Sequence, residues 1–143
     1  MSHGVSFKLI SRFDSVVPGE EAAVVLRPSG AEFYFVDHFP GRPLVPGVIQ
    51  VEWMAQLATL CLQEKDPNLF PVLLSIRRSQ FLHPIRPGDE CSLEVKKINE
   101  SDLILTFRGQ IRIAGQLVSE ADFLVRNWSS EDFAVALGQG DKQ

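Results

Sequence analysis

The sequence predicts an α+β protein in which an antiparallel sheet wraps around one long central helix. The prediction depends on an apolar run after Pro46 with a helical period, and on a later series of segments whose apolar and polar residues alternate. Between residues 48 and 62 apolar side chains cover most of the helix surface, so the helix needs partners on nearly every side. A curled sheet supplies them, because each of its strands has one apolar face.

The elements can be placed in order from local patterns. Alternation at Val5, Phe7 and Leu9 predicts a first strand, and residues 22–26 and 31–36 predict two more around Gly- and Pro-containing turns. The central helix begins near Pro46 and ends at Asp66-Pro67. The long strands that follow are predicted over these ranges: 72–82, 91–96, 103–113 with a bulge at Gly109, and 121–125.

Length and composition indicate one domain, residues 1–126, followed by a tail, residues 127–143, with a short helix and then disorder. The net charge of −4 argues against nucleic-acid binding. Neither a signal peptide nor a membrane span is predicted, and Cys61 and Cys91 are expected to be reduced core thiols. Together these features favour a cytoplasmic protein.

The most informative segment runs from Asp37 to Glu52. It places His38 before a loop with three prolines and two glycines at residues 40–47, and then Glu52 within the apolar helix. A carboxyl group is costly in such a helix unless it has a role. A histidine and an acid near apolar surface are suited to proton transfer.

This segment resembles the FabZ/FabA-type 3-hydroxyacyl-[acyl-carrier-protein] dehydratases. The similarity is carried by the strings His38-Phe39-Pro40-Gly41-Arg42-Pro43, Pro46-Gly47-Val48, Glu52 with Met54-Ala55-Gln56, and Phe81 to Asp89. The resemblance implies a hot-dog fold and a homodimer, or a trimer of such dimers, with an active site between protomers. It makes His38 and Glu52 catalytic, fourteen positions apart, and the Gly47 N–H an oxyanion donor. Asp37, where the family has glycine, and Trp53, where it has a small residue, depart from its pattern.

Dehydration of a (3R)-3-hydroxyacyl thioester to the trans-2-enoyl thioester suits these residues. Neutral His38 can act as the base at the α-carbon, and an apolar environment favours a protonated Glu52 that can act as the acid. Gln56, one turn later, can hold the Glu52 carboxyl group. No cofactor and no metal are required, and acyl carrier protein is the expected partner. Further expectations are an acyl pocket lined by Phe39, Val48 and Trp53, and carrier docking by Arg42, Arg77, Arg78 and Arg86.

Other interpretations remain open at this point. Glu52 shares a polar stripe with Gln56, Thr59 and Gln63, which could be the solvent face of an amphipathic helix. Gly47 could serve only a tight turn, and the arginines could belong to an ordinary solvated surface. At the level of function, a hot-dog acyl thioesterase and a non-catalytic acyl-binding protein are the alternatives.

Overall fold

A computed structural model describes residues 6–138 of the chain. Six strands form one antiparallel sheet in the order β1-β2-β4-β5-β6-β3. The strands are β1 Ser15–Val17, β2 Glu21–Leu26, β3 Leu69–Phe81, β4 Cys91–Ser101, β5 Ile104–Ile113 and β6 Gln116–Ser129. The helices are α1 Gly47–Lys65 and α2 Ser130–Ala136, with a single 3-10 turn at Phe33–Phe35.

Helix α1 is the centre of the fold, as the sequence predicts. It begins directly after Pro46 and ends before Asp66. It contacts strands β2, β3, β4, β5 and β6. Met54, Leu57, Ala58 and Cys61 are fully buried, which identifies the contact between this helix and the sheet as the core.

The predicted bulge at Gly109 is wrong. Gly109 pairs in regular register with Val95 on β4 and Ala121 on β6. A Cβ atom at Gly109 would lie 2.6 Å from the Cγ and Sδ atoms of Met54. The glycine is therefore explained by the close approach of α1 to β5.

Two predicted strands are absent from the described residues. Residues 6–13 form no regular structure, and Val5 lies outside the described range. Residues 31–36 contain the 3-10 turn instead of a strand. Tyr34 packs edge-to-face on Trp53 while the next residue, Phe35, is buried in the core. Two consecutive inward side chains do not fit a strand, where successive side chains point to opposite faces.

The C-terminal helix packs back onto the end of the sheet. Strand β6 continues to Ser129, whose hydroxyl oxygen accepts a hydrogen bond from the Asp132 N–H and so caps α2. Phe133 of α2 stacks on Phe70 of β3, with ring centroids 5.3 Å apart. Helix α2 lies within the range expected for the tail, residues 127–143. The disorder expected after it begins at Gly138, and residues 139–143 lie outside the described range.

Strand β3 forms one edge of the sheet. Its outer residues leave a row of apolar side chains exposed, namely Phe70, Leu73, Leu74, Ile76 and Phe81. Among residues 6–138, neither helix is long and apolar enough to span a bilayer.

Candidate active site

His38 lies in a loop that closes on itself. The Leu44 N–H donates to the His38 carbonyl oxygen at 2.8 Å, and Phe39 and Arg42 exchange backbone hydrogen bonds at 3.1 and 2.9 Å. The imidazole Nδ1 lies 3.2 Å from the Leu44 carbonyl oxygen. Because a carbonyl oxygen can only accept, Nδ1 carries the hydrogen of the neutral ring, and Nε2 keeps its lone pair. In this tautomer, Nε2 is the ring nitrogen with a lone pair open to a proton.

Gly47 is the first residue of α1, and its N–H has no internal helical partner. Among the described residues, the first-turn bonds to the Pro46 carbonyl come from Ile49 and Gln50, which leaves the Gly47 N–H without an acceptor. An unpaired donor at a helix start favours negative charge, as an oxyanion site requires.

The tight-turn interpretation does not explain Gly47, because its φ is not in the left-handed region. A Cβ atom at this position would lie 3.0 Å from two ring carbons of Phe81. Gly47 therefore accommodates the Phe81 ring.

Glu52 projects from α1 and is only partly buried in the single protomer. Its Oε2 accepts a hydrogen bond from Gln56 Nε2 at 2.9 Å. The expected contact between Gln56 and the Glu52 carboxyl group is thus present. No hydrogen bond joins Glu52 to His38 within the described part of one chain.

The polar stripe of α1 is only partly exposed to solvent in the protomer. Gln56 is covered by the N-terminal segment, and Gln63 donates to the Leu69 carbonyl at 3.1 Å. Thr59 donates to the Ala55 carbonyl at 3.0 Å. All four residues of the stripe are partly buried, and each side chain makes a hydrogen bond to another described residue.

The residues expected to line an acyl pocket lie in separate places in the protomer. Phe39 is 51% exposed and stacks on the His38 ring, with centroids 4.2 Å apart. Val48 is 76% exposed in the first turn of α1. Trp53 is buried and lines an open pocket of about 330 Å³ together with Leu9, Leu26, Phe33 and Tyr34.

Tyr34 forms one wall of that pocket. Burial raises the pKa of its phenol group, so the hydroxyl stays protonated. The pocket therefore combines apolar and aromatic surface and a neutral hydroxyl group with the charged residues Lys8, Arg27 and Glu32.

Two of the four predicted docking arginines lie together. Arg42 and Arg86 line a surface cleft of about 850 Å³ that also includes Phe39, Pro43 and Pro84. Arg77 and Arg78 lie instead on β3, where Arg78 is opposite Asp122 of β6. The first pair borders the His38 loop, and the second pair borders the edge of the sheet.

The cysteines do not contribute a nucleophile. Both are free and buried. Burial raises the pKa of the Cys91 thiol to about 12, and it also raises the pKa of the Cys61 thiol. Both thiols are therefore held in the unreactive protonated form, as expected for core residues.

Sequence reasoning missed three contributors to this region. Phe81 was visible only as part of a family-like string, and its contact with Gly47 depends on long-range packing. The sequence pattern predicts a strand at Tyr34, which the structure places in the 3-10 turn. It also predicts a strand for the segment that covers Gln56, although the N–H groups of this segment bind a side chain.

Comparison with known proteins identifies the family. The profile of the ApeI-like family, described as ApeI dehydratase, matches residues 15–121. The chain belongs to the ApeI-like dehydratase family.

Relatives named 3-hydroxyacyl-[acyl-carrier-protein] dehydratase FabZ agree with this membership. The protein from Ehrlichia chaffeensis is 33% identical over 129 residues, which is 90% of either chain. The protein from Granulibacter bethesdensis is 32% identical and covers 85% of this chain and 74% of its own length.

Solved structures show the same fold for this ApeI-like protein. The dehydratase heterocomplex ApeI:P from Xenorhabdus doucetiae matches with a TM-score of 0.60 and 29% identity, covering 76% of this chain and 88% of that one. A hypothetical thioesterase with coenzyme A from Streptococcus pneumoniae has a TM-score of 0.66 but 12% identity, with 82% and 85% coverage, and therefore shows the fold alone. The fold is the hot-dog fold, as the family resemblance predicts.

Proposed function

We propose that this protein removes water from a (3R)-3-hydroxyacyl group held as a thioester on acyl carrier protein, giving the trans-2-enoyl thioester. The FabZ relatives support the substrate class through their names. The geometric observation that carries the proposal is the contact between His38 Nδ1 and the Leu44 carbonyl, which leaves Nε2 available as a base.

In the proposed reaction, Nε2 of His38 takes a proton from the α-carbon of the thioester. The electron pair left on that carbon forms the new double bond as the C3–O bond breaks. Glu52 gives its proton to the departing hydroxyl group, which leaves as water. The Gly47 N–H holds the thioester oxygen while negative charge builds, and one such donor contributes about 2.7–4 kcal/mol in related sites.

We place His38 and Glu52 of one site on different protomers of a homodimer. Support comes from the edge strand β3, whose exposed apolar row is a surface that proteins normally cover. The two side chains also make their hydrogen bonds to separate partners within one chain, Leu44 and Gln56. The ApeI:P complex is a heterocomplex, so pairing with a different subunit is the competing outcome.

The proposal also names the residues that would contact the carrier protein and those that would contact the acyl chain. The arginine pair at the cleft, Arg42 and Arg86, would attract the acidic surface of a carrier protein beside the His38 loop. Arg77 and Arg78 would add a second contact with the carrier protein at β3. Phe39 and Val48 would meet the acyl chain near the reacting carbons, and Trp53 would meet it farther along α1.

The test is to replace each proposed catalytic side chain and follow carrier-bound substrate by mass spectrometry. His38→Ala and Glu52→Gln are each expected to lower the dehydration rate by at least about 100-fold, the low end for lost acid–base catalysis. Circular dichroism and sedimentation should show an unchanged fold and assembly. Normal turnover by both variants would contradict the mechanism.

The same assay separates the alternative functions. Loss of one water from the carrier-bound hydroxyacyl chain supports the dehydratase. Release of free acid and free carrier thiol would identify a thioesterase, and an unchanged bound chain would identify a binding protein.

A further inference from the structure

The side chain of Gln56 joins Glu52 to the N-terminal strap, defined here as residues 7–10. Gln56 Oε1 accepts hydrogen bonds from the N–H groups of Leu9 at 2.7 Å and Ile10 at 2.9 Å. Gln56 Nε2 donates to the Phe7 carbonyl oxygen at 2.6 Å and to Glu52 Oε2 at 2.9 Å. The Gln56 amide group therefore makes four hydrogen bonds, three with the strap and one with a carboxyl oxygen of Glu52.

This arrangement fixes the orientation of the amide group. Two backbone N–H groups can only donate, so the atom that faces them must be the oxygen of Gln56. The NH₂ group is then directed toward Phe7 and Glu52. A flipped amide would face two donors with its own NH₂ group and would lose the three bonds to the strap.

The strap is itself anchored independently of Gln56. Ile10 is 2% exposed and belongs to the core, and Phe7 contacts Phe33 with ring centroids 6.3 Å apart. The strap can therefore impose a position on Gln56, which can in turn impose one on Glu52.

We propose that the N-terminal strap is a positioning element for catalysis, which orients the Glu52 carboxyl group through Gln56. Because Gln56 occupies Oε2, the transferable proton is held on Oε1, the oxygen left for the substrate. This inference rests on the proposed function, in which Glu52 is the acid. It extends that function to main-chain atoms that never touch the substrate.

The test removes one strap donor. Leu9→Pro lacks the N–H group, whereas Leu9→Ala keeps it and loses only the side chain. We expect Leu9→Pro to lower kcat about 10-fold relative to Leu9→Ala, since small misplacements of a catalytic group are costly. The KM of both variants should agree within about twofold, because substrate contacts other than the acid are the same in both. Equal kcat values for the two variants would overturn the proposal.

A second comparison distinguishes positioning from general damage. In a Glu52→Gln background there is no acid to orient, so Leu9→Pro and Leu9→Ala should have equal rates. A persisting 10-fold difference in that background would also overturn the proposal. Ser11→Pro is the matched proline control, because Ser11 is exposed and its N–H makes no hydrogen bond to the described residues. It should keep the wild-type kcat.

If Leu9→Pro does not fold, Phe7→Gly tests the anchor of the strap instead, because it removes the ring that contacts Phe33 and keeps the carbonyl that binds Gln56. It should lower kcat about threefold in the wild-type background and not at all with Glu52→Gln. The control for helix damage is Gln63→Ala, which removes a similar hydrogen bond two turns away. Failure of the proposed function is recognised separately, because wild-type protein would then show no dehydration or Glu52→Gln would be fully active.

Discussion

At the scale of single residues, the region around Gly47 shows how an absent side chain shapes the candidate site. The Phe81 ring occupies the space that any Cβ atom at Gly47 would need. The backbone of Gly47 is ordinary helix, so other residues could adopt its conformation. What restricts the position is the contact between the start of α1 and the end of β3.

Gly47→Ala is therefore expected to lower kcat/KM for dehydration by about 10-fold, because the added methyl group displaces the helix start that carries the oxyanion donor. The measurement is steady-state kinetics on carrier-bound substrate. Removing the obstructing ring should restore room, so Gly47→Ala combined with Phe81→Ala should lose less than the product of the two single effects. Strictly multiplicative losses would count against a steric origin.

The candidate site could be predicted from sequence only where chemistry is local. His38, Glu52, Gly47 and Gln56 were identified from a single segment, because the loop and the first turns of α1 contain them all. The structure adds the contact of Gln56 with Glu52 and the partner of His38 Nδ1. The contacts of Phe81 with Gly47 and of the strap with Gln56 cannot be predicted in this way. They join residues far apart in the chain, and a hydrophobic period gives no information about such pairs.

At the scale of elements, the packing of α1 on β5 depends on one close approach. Met54 lies directly over Gly109, at a distance that leaves no space for a Cβ atom.

The long strands and α1 could be predicted, because alternation and helical period persist over many residues. The aromatic residues 33–35 could not, because β-propensity favoured a strand while two consecutive side chains had inward places to fill.

We expect Gly109→Ala to reduce the free energy of unfolding by about 1–3 kcal/mol, the usual cost of overpacking a core. Urea denaturation followed by circular dichroism measures it. In a Met54→Ala background the same substitution should cost clearly less, since the colliding atoms are gone. An equal cost in both backgrounds would show that the strain lies elsewhere.

At the scale of the whole molecule, the edge strand β3 has no neighbouring strand on one side in the described protomer. It is 13 residues long, and apolar side chains remain exposed along it. Ile76 pairs with Phe123, which places it on the helix-facing side of the sheet at this edge. A partner that covers β3 would complete the sheet and enclose the proposed site.

Ile76→Lys should convert the proposed dimer to monomers and reduce dehydration at least about 10-fold, because a buried unpaired charge is strongly unfavourable at an interface. Sedimentation velocity and kinetics at the same protein concentration test both effects. Val17→Lys is the matched control, since Val17 is 49% exposed on β1, at the opposite edge of the sheet from β3. A fully active, fully dimeric Ile76→Lys protein would place the subunit contact on another surface.

The strap has a practical consequence for anyone handling this enzyme. Material fused ahead of Phe7 would be attached only a few residues from the backbone atoms that bind Gln56. An affinity tag at this position is expected to disturb the contacts through which the strap holds Gln56 beside Glu52. A tag after Gln143 would instead follow α2, which packs on Phe70 at the start of β3. Purified protein with an amino-terminal fusion should thus regain turnover when the fusion is cleaved off, and a carboxy-terminal tag should make little difference.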